Sequence, residues 1–164
     1  MFIYIARHAW AGEHGDPRWP DDSLRELTSD GIERYIKVVK ALANEGFDPD
    51  RIATSPYARC RQTADLIAKH IVGNPVIDEL QALEPGSDLE TLVQWSNDHA
   101  AKAESLCWVG HSPDVEWLTG ALIGDGTTRI RFAKGGVAAI NFEDEIAPAS
   151  GELYWHVTAK LLGV

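Results

Sequence analysis

Short apolar runs alternate along this chain with longer stretches in which apolar residues recur every three or four positions. Residues 2–6 (FIYIA) predict a short buried strand that stops abruptly at Arg7-His8. After a polar loop containing Pro and Trp, Ile32, Tyr35, Ile36, Val39, Leu42 and Ala43 fall at helical spacing, with Thr28 as the N-cap and Gly46 as the stop. Residues 51–54 (RIAT) predict a second strand. Cys60, Ala64, Ile67, Ala68 and Ile71 mark one face of a second helix, which ends at the Gly-Asn-Pro of 73–75. PVIDEL supplies a short strand, and Ser87 with Glu90 forms a capping box for a third helix carrying Leu89, Leu92 and Val93. SLCWV is a further strand, followed by a helix with Val115, Leu118 and Leu122. Two late strands are predicted near 137–142 and 152–158.

Strands alternating with helices predict an α/β fold whose largely parallel sheet is covered on both faces. The 164 residues fit one domain, residues 1–164, with no repeat, low-complexity tract or linker to divide it. In such folds ligands bind beyond the carboxyl ends of the strands, which is where Arg7-His8 falls. Two more strand ends invite comparison. IATSPYARCRQT and CWVGHSPDVEW each run from an apolar strand through Ser-Pro into a helix, so Ser55 and Ser112 are expected as N-caps. Arg59 then lies in the first turn of one helix and His111 just ahead of the other. Neighbouring strands would bring Arg7, His8, Arg59 and His111 together with two helix N-termini, a combination suited to a dianion.

Charge sharpens this reading. The net charge of −10 argues against nucleic acid and anionic membranes as partners, so any anion must be met by a local cationic pocket. No apolar run approaches the length of a membrane span, and the first run is too short for a signal peptide; a cytoplasmic location is the expectation. Cys60 and Cys107 match no zinc or CxxC pattern and sit among apolar neighbours, so both are expected as buried free thiols.

The segments IARH (5–8), ELTSDG (26–31), ATSPYARCRQTA (53–64) and WVGHSPDVEWL (108–118) together resemble the histidine phosphatase superfamily, also called phosphoglycerate-mutase-like. The small size and the lack of a large cap insertion are most similar to SixA-type phosphohistidine phosphatases. The resemblance implies a three-layer α/β/α sandwich without a large cap domain, and phosphoryl transfer without metal or cofactor. It makes His8 the nucleophile, with Arg7, Arg59 and His111 binding the phosphoryl group and Ser55 either adding a hydroxyl or capping its helix. A neutral imidazole can attack phosphorus directly, and fixed positive groups stabilise the equatorial oxygens. The chain departs from the family in reading Arg-His-Ala where Arg-His-Gly is usual; a Cβ at Ala9 would penalise positive φ or close backbone approach there.

An alcohol leaving group needs a proton donor, for which Glu84 is the candidate, with Glu13 and Asp16 behind it. A phosphohistidine departs as neutral imidazole once its second ring nitrogen is protonated, so that substrate relaxes the demand. Phosphohistidine on a protein is therefore the first expectation and a small phosphate ester the second. Trp10, His14, Trp19 and the neighbouring prolines are placed to line the opening. Two other classes compete. A phosphate-binding module without turnover would keep the same pocket. A serine hydrolase would use Ser112 in VGHSPD with His156 and Asp125 or Asp144, but Asp114 replaces the elbow glycine and Pro113 lacks the oxyanion-hole N–H.

Overall fold

The computed structural model describes residues 1–164, and its central feature is one six-stranded sheet. In chain order the elements are β1 (Phe2–Arg7), α1 (Ser29–Asn44), β2 (Arg51–Thr54), α2 (Ala58–His70), β3 (Val76–Glu79), α3 (Leu89–Ala100), β4 (Ser105–Gly110), α4 (Asp114–Ile123), β5 (Val137–Asn141) and β6 (Glu152–Val157). Across the sheet the strands run β3-β2-β4-β1-β5-β6. The first four are mutually parallel, β5 runs antiparallel to β1, and β6 runs antiparallel to β5. The fold is the three-layer α/β/α sandwich, with no large cap domain.

The period of two along each strand explains the layers. Tyr4 and Ala6 of β1, with Cys107 and Val109 of β4, face a core shared with Tyr35, Val38, Val39 and Leu42 of α1 and Cys60, Ala64 and Ile67 of α2. Ile3, Ile5, Leu106 and Trp108 face the other side, against Leu92 of α3 and Val115, Leu118 and Leu122 of α4. Both faces are thus buried, as a parallel sheet requires.

α1 begins as its sequence predicts. The Thr28 hydroxyl accepts the Gly31 N–H at 3.0 Å, and Thr28 N–H donates to the Trp10 carbonyl. A Cβ at position 31 would collide with that same carbonyl, so glycine is what lets the 9–28 loop lie against the helix start. Other expected caps are displaced. α2 starts at Ala58 behind Tyr57, and Ser55 merely accepts Tyr57 N–H at 3.3 Å. α4 starts behind Pro113, with Ser112 instead donating to Glu116 Oε1 at 2.8 Å. In α3 the cap is Asp88 rather than Ser87; its carboxylate accepts Thr91 N–H. In each case the serine lies one or two residues ahead of the cap position, too far for its hydroxyl to reach the free helical N–H groups. No helix is long and apolar enough to cross a membrane, and both cysteines are buried and unpaired.

Candidate active site

Register aligns the three strand ends. Ala6 pairs with Val109, and Val109 with Thr54, so the residues that follow, Arg7-His8, Gly110-His111 and Ser55, emerge along one edge of the sheet. Backbone bonds continue the alignment past the strands: His8 N–H donates to Gly110 O at 3.0 Å and Ser55 N–H to Val109 O at 3.1 Å. Arg59, in the first turn of α2, is drawn to the same place through Thr63, which accepts Ala9 N–H at 3.1 Å and donates to Arg59 O at 2.6 Å. The four residues predicted to converge all line one open cavity of about 460 Å³.

His8 lies deep in it, 7% exposed, with its ring centroid 5.5 Å from that of His111. Its Nδ1–H donates to the carbonyl of Ala9 at 2.7 Å. A carbonyl can only accept, so the proton sits on Nδ1 and the Nε2 lone pair is free. Burial, reinforced by Arg59, His111 and Arg7, outweighs that hydrogen bond and pulls the imidazole down to about 3. At neutral pH the His8 ring is therefore neutral, with an unshared Nε2 lone pair. His111 is likewise pulled down to about 3 by burial and then by Arg59, so it is neutral and cannot supply a cation in the empty pocket. Its Nε2 is 3.0 Å from Ser55 Oγ, and Tyr57 packs edge-on against it. Ser55 thus holds His111 rather than capping α2, and it does not itself line the cavity.

The positive charge comes from guanidiniums. Arg7 Nη1 donates to Phe132 O at 2.7 Å, and Glu116 opposes the lowering that burial imposes on Arg7. Arg59, 4% exposed, places Nη1 2.8 Å from Asp22 O and Nη2 3.1 Å from Asp22 Oδ2. Arg25 adds a third guanidinium, donating from Nε to Asp22 Oδ1 and from Nη1 to Gly12 O, both at 2.8 Å. Lys134 also lines the cavity, against a single carboxylate, Glu13. An acidic protein thus presents a local excess of cations around this cavity.

Arg25, Lys134 and the organising carboxylate Asp22 escaped sequence reading. The available signal was the Asp22-x-x-Arg25 spacing just ahead of the first helix, which reads as a solvated loop because no periodicity marks it. Glu84, expected as proton donor, does not line the cavity; its neighbour Pro85 does, because Glu84 ends the short turn Gln81–Leu83 and its carbonyl receives the Ser87 hydroxyl. Asp16 is turned away into an ion pair with Arg18. Of the residues expected at the opening, His14 lines the cavity, whereas Trp10 lies under Arg34 and Trp19 under Arg18. Ala9 has no positive φ and its methyl group is buried in the core, so the expected penalty for replacing glycine does not arise.

The serine-hydrolase arrangement is not assembled. Ser112 Oγ is bonded to Glu116, His156 Nε2 has no partner, and Asp125 is bonded to Thr127. Asp144 lines a different cavity. No group of three or more His, Cys, Asp and Glu side chains is placed to hold a metal ion.

The two depressed imidazoles give a direct expectation. In the free protein, the ring resonances of His8 and His111 should hold their neutral positions as pH falls through 6.5, moving only as it approaches 3. The unfolded chain takes up these protons first, so the stability they contribute is complete above 6.5 and drains away toward 3. A transition near 6.5 for either ring in an NMR titration would contradict the burial argument.

The model of the histidine phosphatase superfamily (branch 1) matches residues 3–147. An uncharacterized protein of Picosynechococcus sp. is 32% identical over 142 residues, covering 85% of this chain and 84% of its own length. Among solved structures, the protein histidine phosphatase SixA complexed with tungstate superposes with a TM-score of 0.85 at 23% identity, covering 99% of both chains. The α-ribazole phosphatase of Shigella flexneri superposes at 0.68 with 14% identity, covering 97% of both.

Proposed function

Because the chain belongs to the histidine phosphatase superfamily, we propose that it is a phosphatase that needs no metal, works through a phosphohistidine at His8, and acts on phosphohistidine carried by a protein. One observation carries the reading. A buried imidazole with a free Nε2 lone pair faces a cavity ringed by Arg7, Arg25 and Arg59, with His111 at its side.

The chemistry follows from that arrangement. The phosphoryl group enters between the guanidiniums; burial leaves those of Arg7 and Arg59 under-solvated, so an anion recovers interaction that the protein alone does not supply. His8 Nε2 attacks phosphorus while Arg7 and Arg59 stabilise the equatorial oxygens, and the leaving group departs on the far side, toward solvent. The negative charge of the bound group also favours a proton on His111, which turns it into a further donor to those oxygens. Water then attacks the phosphorylated His8 and releases phosphate.

Two features favour a protein substrate. The rim residues Glu13, His14, Pro85 and Lys134 are all exposed, so a phosphorylated side chain on a folded partner can reach the cavity. The one carboxylate lining the cavity, Glu13, is exposed, and a phosphorylated imidazole, which departs as a neutral ring, asks less of any proton donor than an alkoxide does. The SixA relative of known structure is a protein histidine phosphatase that takes tungstate, a tetrahedral oxyanion. Turnover of a phosphohistidine protein should exceed that of alkyl phosphomonoesters measured side by side, by at least about tenfold in kcat/KM. A preference for an alkyl ester would transfer the function to a small-molecule phosphatase, and tight phosphate binding without any turnover would make the protein a binding module.

A further inference from the structure

We infer that His14, held by Asp22, is the group that delivers and collects the proton of the reaction; the inference rests on the phosphatase reading above. His14 Nδ1 lies 2.9 Å from Asp22 Oδ1. The Asp22 carboxyl is kept ionised first by its hydrogen bond from Arg25 and also by His14 and Arg59, so it can only accept. The Nδ1 proton is therefore fixed, and Nε2 is the free nitrogen of a ring that lines the cavity. Imidazole is the side chain that exchanges a proton readily near neutral pH.

Position agrees with chemistry. His8 is nearly buried, whereas the His14 side chain is 83% exposed, so the two rings occupy the deep and the outer end of one cavity. In-line displacement by His8 sends the leaving group outward, to the His14 end. The same carboxylate that orients His14 also grips Arg25 and Arg59, so the ring is held in register with the phosphate-binding cations. Glu13, the one carboxylate lining the cavity, has no side-chain hydrogen bond to orient it.

The two steps balance. In the first, the His8 Nε2 lone pair forms the N–P bond and the bond from phosphorus to the leaving atom breaks. The protonated His14 ring gives its Nε2 proton to the leaving oxygen, or to the second ring nitrogen of a departing imidazole, and is left neutral. In the second, water forms the new P–O bond, His14 Nε2 takes the water proton, and the P–N electron pair returns to His8. Phosphate leaves and both rings are restored.

The test is His14→Asn, assayed with p-nitrophenyl phosphate, whose phenolate leaves without a proton, and with phenyl phosphate, which needs one. We expect kcat/KM for the nitrophenyl ester to stay within about threefold of wild type and that for phenyl phosphate to fall by about 10²-fold or more, the usual contribution of general acid–base catalysis. Steady-state kcat should fall on both, with phosphoenzyme accumulating and a burst of nitrophenol, because the base for water is gone. Equal losses in kcat/KM on both esters, no loss on either, or the same pattern in Glu13→Gln with His14→Asn normal would each overturn the assignment. A wild-type protein that releases neither phenol would instead defeat the phosphatase reading itself, which separates the two failures.

Discussion

His8→Ala is expected to reduce hydrolysis of an aryl phosphate to the uncatalysed rate, a loss of roughly 10⁴-fold or more, while leaving the affinity for inorganic phosphate largely intact. The imidazole is the only group lining the cavity whose unprotonated nitrogen is fixed by a backbone carbonyl, through Nδ1–H to Ala9 O. Removing it takes away the attacking lone pair but leaves Arg7, Arg25 and Arg59 on their own anchors: Phe132 O, Gly12 O and Asp22. The variant should also fold. His8 is buried neutral against its own desolvation cost, so the loss is of packing rather than of a paired charge. Residual turnover within tenfold of wild type, measured with the variant shown to be folded, would remove His8 from the chemistry.

The second large effect is at Arg59. Arg59→Ala should cost about 10²–10³ in kcat/KM, or about 3–4 kcal/mol of transition-state stabilisation. The loss has two parts. The guanidinium no longer meets the phosphoryl oxygens, and Asp22, which its two Nη groups had engaged through the carbonyl and the carboxylate, is left with less positive charge beside the site. Lysine at this position should recover little, because a single ammonium cannot make both contacts and still face the cavity. An Arg59→Ala variant with unchanged kcat/KM would show that the cavity does not bind the transferred group through this residue.

Much of this arrangement is legible in the string, for reasons that differ from part to part. Strand β2 is read to the residue because the apolar pair Ile52-Ala53 stands between the Asp-Pro-Asp turn and Ser-Pro, and residues 52–54 are buried on both faces. The convergence of His8, Arg59 and His111 follows once the alternation of strands and helices is seen, because parallel strands bring their carboxyl ends to one edge. The 9–28 loop resisted. Asp22 reaches Arg59 across 37 positions, and nothing in local composition distinguishes it from Asp16 or Asp21, which bond only Arg18 and Ser23. Glu84 misled for a related reason: a glutamate between a strand and a capped helix sits near the right edge of the sheet, but the turn at Gln81–Leu83 presents the next residue to the cavity. The serines before proline looked like caps because their composition is right, and only backbone geometry shows that Ser55 is used to hold His111.

The central claim is that His8 Nε2 carries the phosphoryl group. Rapid acid-free quenching of the enzyme with a labelled phosphate ester, followed by peptide mass spectrometry and ³¹P NMR, tests it most directly. The account predicts an acid-labile, base-stable phosphoryl group on the peptide containing residues 5–8, attached at Nε2 of His8. A phosphoryl group on His111, His14 or Ser55, or on the Nδ1 side of His8, would contradict it.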